Sequence, residues 1–568
     1  AIDIFFDEQT AIEDLQITGN TIANNLDDGV RITREDDAVT RTVNPFDAQT
    51  RAITIATNTI SNNAINPTTD QLQSGGSQQY GAGIEIVVRN GDLDQTDIEV
   101  RDNTISRNAR SAGGLDASAT NGINLRAEAD SQLLVDMTNN VINFSEGDGI
   151  SLSTRENSIT DQRDIGGTWT KNDFSDNGQN GIDILGRFGI FNLLVVGVEG
   201  VDSVDGRSLG NSIRRNQYNG MNIRRGGNAS IVNNDFFMNG LSEPRAVDVG
   251  DVTPTRIFGF LTEESAINGS GIHVANGGNQ GVIAGLSRFN RDVNLAIKSN
   301  VFESNQGMGI DINSIASSGI TVSATIRDNL ITQNSNDGIE LSGKVESTIL
   351  GNFIDRNEGR GIDLMSFGAG VENLVQSNYK IGNGQIEGRN TIVGNRQEGI
   401  YYVNTADDQD QNLLSSDVSS RNATGDVLSW PAAILQIDSN QIDANGIDNG
   451  SSGSGIVFWI GTSGGEADTD RAYNNATGTA TGAGSIGGVG DPLNHRFITG
   501  DFPFNTTSDG LANSRTNARV VNNTFDGNFG DDFTVDSFVS TMNPGTTTQN
   551  WDLPLTPQYN LTFYVSDP

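Results

Sequence analysis

Asn329-Leu330-Ile331-Thr332-Gln333-Asn334 leads into Asp337-Gly338-Ile339-Glu340-Leu341. The same phrase then returns as Asn352-Phe353-Ile354-Asp355-Arg356-Asn357 and Arg360-Gly361-Ile362-Asp363-Leu364. The unit is N-x-[I/F]-x-x-N-x-x-x-G-I-x-[I/L]. It holds two short strands with apolar residues at every second position, joined by a polar turn. Repeats of about 20–50 residues mark solenoids.

The unit runs the length of the chain. Asn pairs five apart stand at Asn20/Asn25, Asn58/Asn63, Asn103/Asn108, Asn172/Asn177, Asn211/Asn216, Asn234/Asn239 and Asn300/Asn305. Beyond the opening stretch they continue at Asn390/Asn395, Asn440/Asn445 and Asn523/Asn528, and Asn140 is followed by Ser145. Gly149-Ile150, Gly181-Ile182, Gly220-Met221 and Gly309-Ile310 supply the second strand. A coil of parallel strands explains this, each turn making one rung about 4.8 Å from the next. Ile, Leu and Phe would stack inward. Asn at a corner is expected to accept the left-handed backbone and to bond to the Asn above and below. Gly is expected to permit the bend before the next strand.

The chain resembles the right-handed parallel β-helix repeat proteins of the pectin-lyase-like class, over about residues 1–535. That resemblance implies an all-β, right-handed parallel β-helix solenoid with long loop insertions. It does not choose a chemistry, because the class holds lyases, hydrolases, epimerases, tailspikes, adhesins and fibre proteins. The class's enzyme signatures are missing. There is no Gly-His-Gly and no Arg-Ile-Lys, and Asp491-Pro492 is followed by Leu493 where mannuronan epimerases have Asp-Pro-His. Of the two histidines, His273 and His495, neither sits in such a motif.

The domain reading is a solenoid over 1–535 and a cap or inter-subunit extension over 536–568. Residues 461–516 form an insertion, loop or small lobe, rich in Gly, Ala, Thr and Asp. Phe188–Val198, the most apolar stretch, reads as a buried third-face strand. Trp169 and Trp459 read as packing residues.

Formal charge is −37, from 35 basic and 72 acidic residues, with no cysteine. That excludes disulfides, argues against nucleic acid, and opposes polyanionic glycans without a bridging cation. No apolar run is long enough for a transmembrane segment. The expected setting is extracellular or the cell surface, bacterial.

The outward residue of the G-I-x-[I/L] strand makes a column: His273, Asp311, Glu340, Asp363 and Tyr401. Asp311, Glu340 and Asp363 are candidate ligands for Ca²⁺, which takes several oxygens. The same column also reads as a solvated acidic face, or as a paired-carboxylate site. Ala1-Ile2-Asp3-Ile4 matches the second half of a repeat, so the chain starts mid-rung. An open edge there would accept a strand from another copy, such as Tyr559–Val565. The leading expectation is therefore a structural subunit of a surface filament, sheath or surface layer, self-assembling head to tail as a homopolymer. The alternative is a polysaccharide-active enzyme, a depolymerase or a carbohydrate-binding adhesin, with cell-surface polysaccharide as partner.

Overall fold

A computed structural model gives a right-handed parallel β-helix in two compact units. In the first unit the structure describes residues 1–7, 14–25, 27–35, 53–63, 81–89, 92–93, 98–108, 120–128, 131–155, 164–185, 190–204, 206–224, 226–240, 269–276, 292–311 and 323–335. In the second it describes 312–314, 321–322, 336–343, 345–367, 377–406, 433–446, 455–462, 516–521, 523–526, 528, 533–537 and 561–563. Among these residues the only helical turn is the 3-10 turn Ile386–Gly388.

The first unit has three parallel sheets. The Gly-Ile strands make the first, in the order Ile2–Asp7, Val30–Glu35, Gly81–Arg89, Thr120–Glu128, Ile150–Arg155, Ile182–Leu185, Met221–Arg224 and Ile272–Asn276. Three-residue strands between the two Asn corners make the second. Their central residues stack in register and are buried, as in Ile142, Phe174, Ile213, Phe236 and Phe302. The rings of Phe236 and Phe302 lie 4.8 Å apart and nearly parallel. The Phe188–Val198 stretch supplies Ile190–Val196 to the third sheet, parallel to Asp164–Thr170 and Gly227–Val232. Trp169 is buried, and its indole Nε1 donates to the Val135 carbonyl.

The corners are Asn ladders. Asn177 Oδ1 accepts the Ser145 amide at 3.2 Å, and its Nδ2 donates to Asn216 Oδ1 at 3.0 Å and to the Ile142 carbonyl at 3.2 Å. Every polar atom of the buried amide is thereby satisfied, so its desolvation is offset. One detail departs from expectation. The left-handed conformation falls on the residue before most ladder Asn residues, as at Asp176 (φ 57), Arg215 (φ 52) and Asn233 (φ 61). Turning the chain one residue early leaves the Asn free to aim its amide along the stack.

Gly is needed for a different reason too. Gly181 is not among the positive-φ glycines, but a Cβ there would lie 2.7 Å from the Gly220 carbonyl, from Asn216 Nδ2 and from Ile213 Cγ2. The rungs are too close at this corner for any side chain.

The second unit repeats the pattern. Its first sheet runs Ile339–Gly343, Ile362–Phe367, Ile400–Ala406, Ile456–Thr462 and Phe533–Ser537. Asn352, Asn390, Asn440 and Asn523 form one ladder. Tyr379 and Tyr402 meet edge-on in its core, 6.2 Å apart. Within the segment 559–565 the described residues Leu561–Phe563 pair parallel to Ala518–Val520 of the same chain. Residues 463–515, His495, Asp531-Asp532 and the side chain of Trp459 lie outside the described residues.

Candidate functional site

In the first unit, alternation along the first sheet sends Ile182 and Ile184 inward and Asp183 to the opposite face. Register aligns the corresponding residues of successive rungs into one column: Glu85, Asn124, Ser151, Asp183, Asn222 and His273. Of these, Glu85, Asn124, Asp183, Asn222 and His273 are buried, as is Asp311. A solvated acidic face is therefore corrected to an enclosed polar one. Buried groups of this kind need partners, and the structure provides them.

Asp183 is gripped from two sides. Asn222 Nδ2 donates to its Oδ1 at 2.8 Å, and Arg224 Nη2 donates to its Oδ2 at 2.6 Å. A carboxylate only accepts, so the Asn222 amide must turn its nitrogen toward Asp183 and its oxygen away. One strand further on, His273 Nδ1 lies 2.7 Å from Asp311 Oδ2. That contact puts the ring hydrogen on Nδ1 and fixes the imidazole plane.

A second column stands beside the first, formed by the residue just before each Gly. Here the side-chain oxygen accepts the backbone N–H of the equivalent residue on the neighbouring rung. Asn121 accepts from Asp148, Asp148 from Asn180, Asn180 from Asn219 and Asn219 from Ser270, at 2.8 to 3.1 Å. Asp148 is thus an acid in an amide ladder, 3% exposed, and Asn180 Nδ2 also donates to its Oδ1. Burial, with Asp183 as the next cause, pushes the Asp148 carboxyl up to about 8. It is a proton carrier at neutral pH, set beside a carboxylate held by an arginine.

Asp311 lies in the first unit, engaged by His273. Glu340 and Asp363 lie in the second as register partners. Asp363 accepts from Arg360 Nη1, whose Nε donates to Glu398 at 3.2 Å and whose guanidinium stacks 3.9 Å over the Tyr401 ring. Burial works to lower the Arg360 pKa, but Asp363, Glu398 and Asp337 outweigh it and hold the pKa well above its usual value. Among the described residues no group of three His, Cys, Asp or Glu side chains is set to hold a metal ion.

Sequence reasoning missed Asp148, Asn222 and Arg224. The available signal was the residue preceding the Gly-apolar step, which over four successive rungs reads Asn121, Asp148, Asn180, Asn219.

No family model and no curated protein matches the chain. Solved structures similar to it include the periplasmic alginate epimerase AlgG, 15% identical over 72% of this chain and 85% of that one, with a TM-score of 0.35. A doubly substituted form of the same enzyme is 14% identical over 76% of this chain and 74% of that one, with a TM-score of 0.39. At these identities the likeness is one of fold. The similar structures are those of a polysaccharide-modifying enzyme, and on that finding the expectation of a filament, sheath or surface-layer subunit is corrected.

Proposed function

We propose that the chain is a polysaccharide-active enzyme that hydrolyses a neutral glycan through Asp148 and Asp183. The observation that carries this reading is Asp148 itself: an acid placed between Asn121 and Asn180 in a ladder that amides fill, next to a carboxylate gripped by Arg224. Glycoside hydrolysis needs two carboxyl groups in unlike environments, one to give a proton and one to attack or to activate water. Asp148 donates to the leaving oxygen, and Asp183 takes the second role. His273, held by Asp311, stands two rungs further along the same column.

A neutral substrate is favoured over a uronate. Arg224, the cation that would meet a sugar carboxylate, is already engaged by Asp183. The formal charge of −37 also repels polyanions. The absence of the Asp-Pro-His sequence sets the chemistry apart from epimerisation. Among the described residues no helix is long and apolar enough to cross a membrane. An acidic, cysteine-free chain acting on polysaccharide fits the cell envelope or its exterior.

The test is release of reducing ends from a panel of neutral and uronate polysaccharides, with Asp148→Asn and Asp183→Asn beside the wild type. Release from a neutral glycan that both substitutions abolish supports the assignment. Release undiminished in Asp148→Asn, or none from any neutral glycan, refutes it.

A further inference from the structure

The face around Asp148 has a second copy nearer the N-terminus. Asp148-Gly149-Ile150, Gly181-Ile182-Asp183 and Asn219-Gly220-Met221-Asn222-Ile223-Arg224 occupy three consecutive rungs. Asp28-Gly29-Val30, Gly83-Ile84-Glu85 and Asn121-Gly122-Ile123-Asn124-Leu125-Arg126 occupy three others in the same order. Acid before Gly, acid in the column, then Asn-x-Arg recur at matching positions.

The contacts recur as well. Asp28 Oδ1 accepts the Ala82 amide at 2.7 Å, as Asp148 Oδ1 accepts that of Asn180. Glu85 lies 3.8 Å from Arg126 Nη1, in the place of the Asp183–Arg224 pair. Burial and then Glu85 raise the Asp28 pKa.

Two differences define what this copy can do. Arg31 replaces Ser151 and bonds to both acids, at 2.5 Å to Asp28 and 2.8 Å to Glu85. The column residue after Asn124 is Ser151, where His273 follows Asn222. An acid pair bridged by arginine, without an imidazole, is not poised for proton transfer. It still has an unmet need: Asn124 is 6% exposed, its Oδ1 is engaged by Asn121, and its Nδ2 has no hydrogen-bond partner. Register places Asn124 directly against Glu85, two residues before Arg126 on its own strand. A buried N–H without an acceptor is costly, and a sugar hydroxyl or ring oxygen would satisfy it.

We infer that Asp28, Arg31, Glu85, Asn124 and Arg126 form a second glycan-binding site, which holds a neutral sugar residue through Asn124 Nδ2 without turning it over. This rests on reading the Asp148–Asp183 face as glycan-binding. Glu85 and Asp183 are three rungs apart, about 14 Å. One polysaccharide chain can therefore occupy both places, and the tether raises apparent affinity at the working site.

The experiment uses the whole chain. Affinity gel electrophoresis with soluble xyloglucan, galactomannan and dextran gives binding, and reducing-end release from the same glycans gives KM and kcat. Asn124→Leu should weaken binding and raise KM about tenfold with kcat retained, the value of one buried hydrogen bond. Asn124→Ser stands in if the leucine variant does not keep the β spectrum. Binding and KM equal to wild type would overturn the second site while leaving the hydrolase reading intact. Binding weakened by Asn124→Leu in a wild type that cleaves nothing would uphold the second site and refute the hydrolase. A wild type that is not retarded by any of the three glycans overturns both.

Discussion

Asp148→Asn should make the protein more stable and remove its proton donor. The carboxyl stands at about 8 in the fold, against a reference of 3.8. Folding therefore takes up a proton between those values, and the unfolded chain binds fewer protons than the native one there. The contribution of this one group to wild-type stability is most favourable below about pH 4 and falls as pH rises toward about 8. At pH 7 the lag spans about three pH units, at about 1.4 kcal/mol each, on the order of 4 kcal/mol. Asparagine carries no such slope. It also keeps the Oδ1 that accepts from Asn180 N and Nδ2, and adds an amide hydrogen able to reach Asn121 Oδ1, as Asn180 Nδ2 reaches Asp148. Urea unfolding of wild type and variant from pH 4 to pH 9 should show near-equal stability at the acid end. The gap should open in favour of the variant up to pH 8. A gap that does not change with pH, or a variant less stable at pH 7, would refute the reasoning.

Asn216→Ala should cost about 1–3 kcal/mol in urea melts, because it leaves the buried Asn177 amide without its acceptor. Gly181→Ala should be worse, lowering stability by more than about 3 kcal/mol or blocking folding, since the added methyl meets the Gly220 carbonyl at 2.7 Å. His273→Ala should lower kcat in reducing-end assays by about 100-fold or more while the circular dichroism stays β-rich, if the imidazole exchanges protons with the substrate. Calcium must displace Arg360 to reach Asp363, so it should raise the melting temperature of Arg360→Gln more than that of wild type. Glu340→Gln should diminish that rise, and equal responses in all three proteins would remove Glu340 and Asp363 as ligands.

Much of the fold was legible because a solenoid is written locally. Each rung restates the same demands: Ile at alternate positions, Asn at two corners, Gly where rungs touch. Reading Asn329–Leu364 once is enough to predict parallel strands elsewhere, and Phe188–Val198 falls into the third sheet as its apolar run implies. The reasons behind two of those letters were not legible. Asn looks like the left-handed residue, yet Asp176 and its equivalents turn the chain. Gly looks like a hinge, yet it answers a close approach between rungs that only stacking creates.

The site was less legible still. Sequence order separates Asp148 from Asp183 and Arg224 by whole turns of the coil, and no spacing along the chain shows that they meet. Column positions could be counted from the motif, and that count did place His273 next to Asp311. It could not show that the outward face is enclosed, which turns a row of solvated acids into groups whose charge must be shared or neutralised. Nor could it show which acid would have an arginine at hand. The sequence by itself determined the coil, because the coil's forces act between identical neighbours. The tertiary structure alone decided the protonation and pairing of the acids, because those depend on burial and on partners that arrive from other rungs.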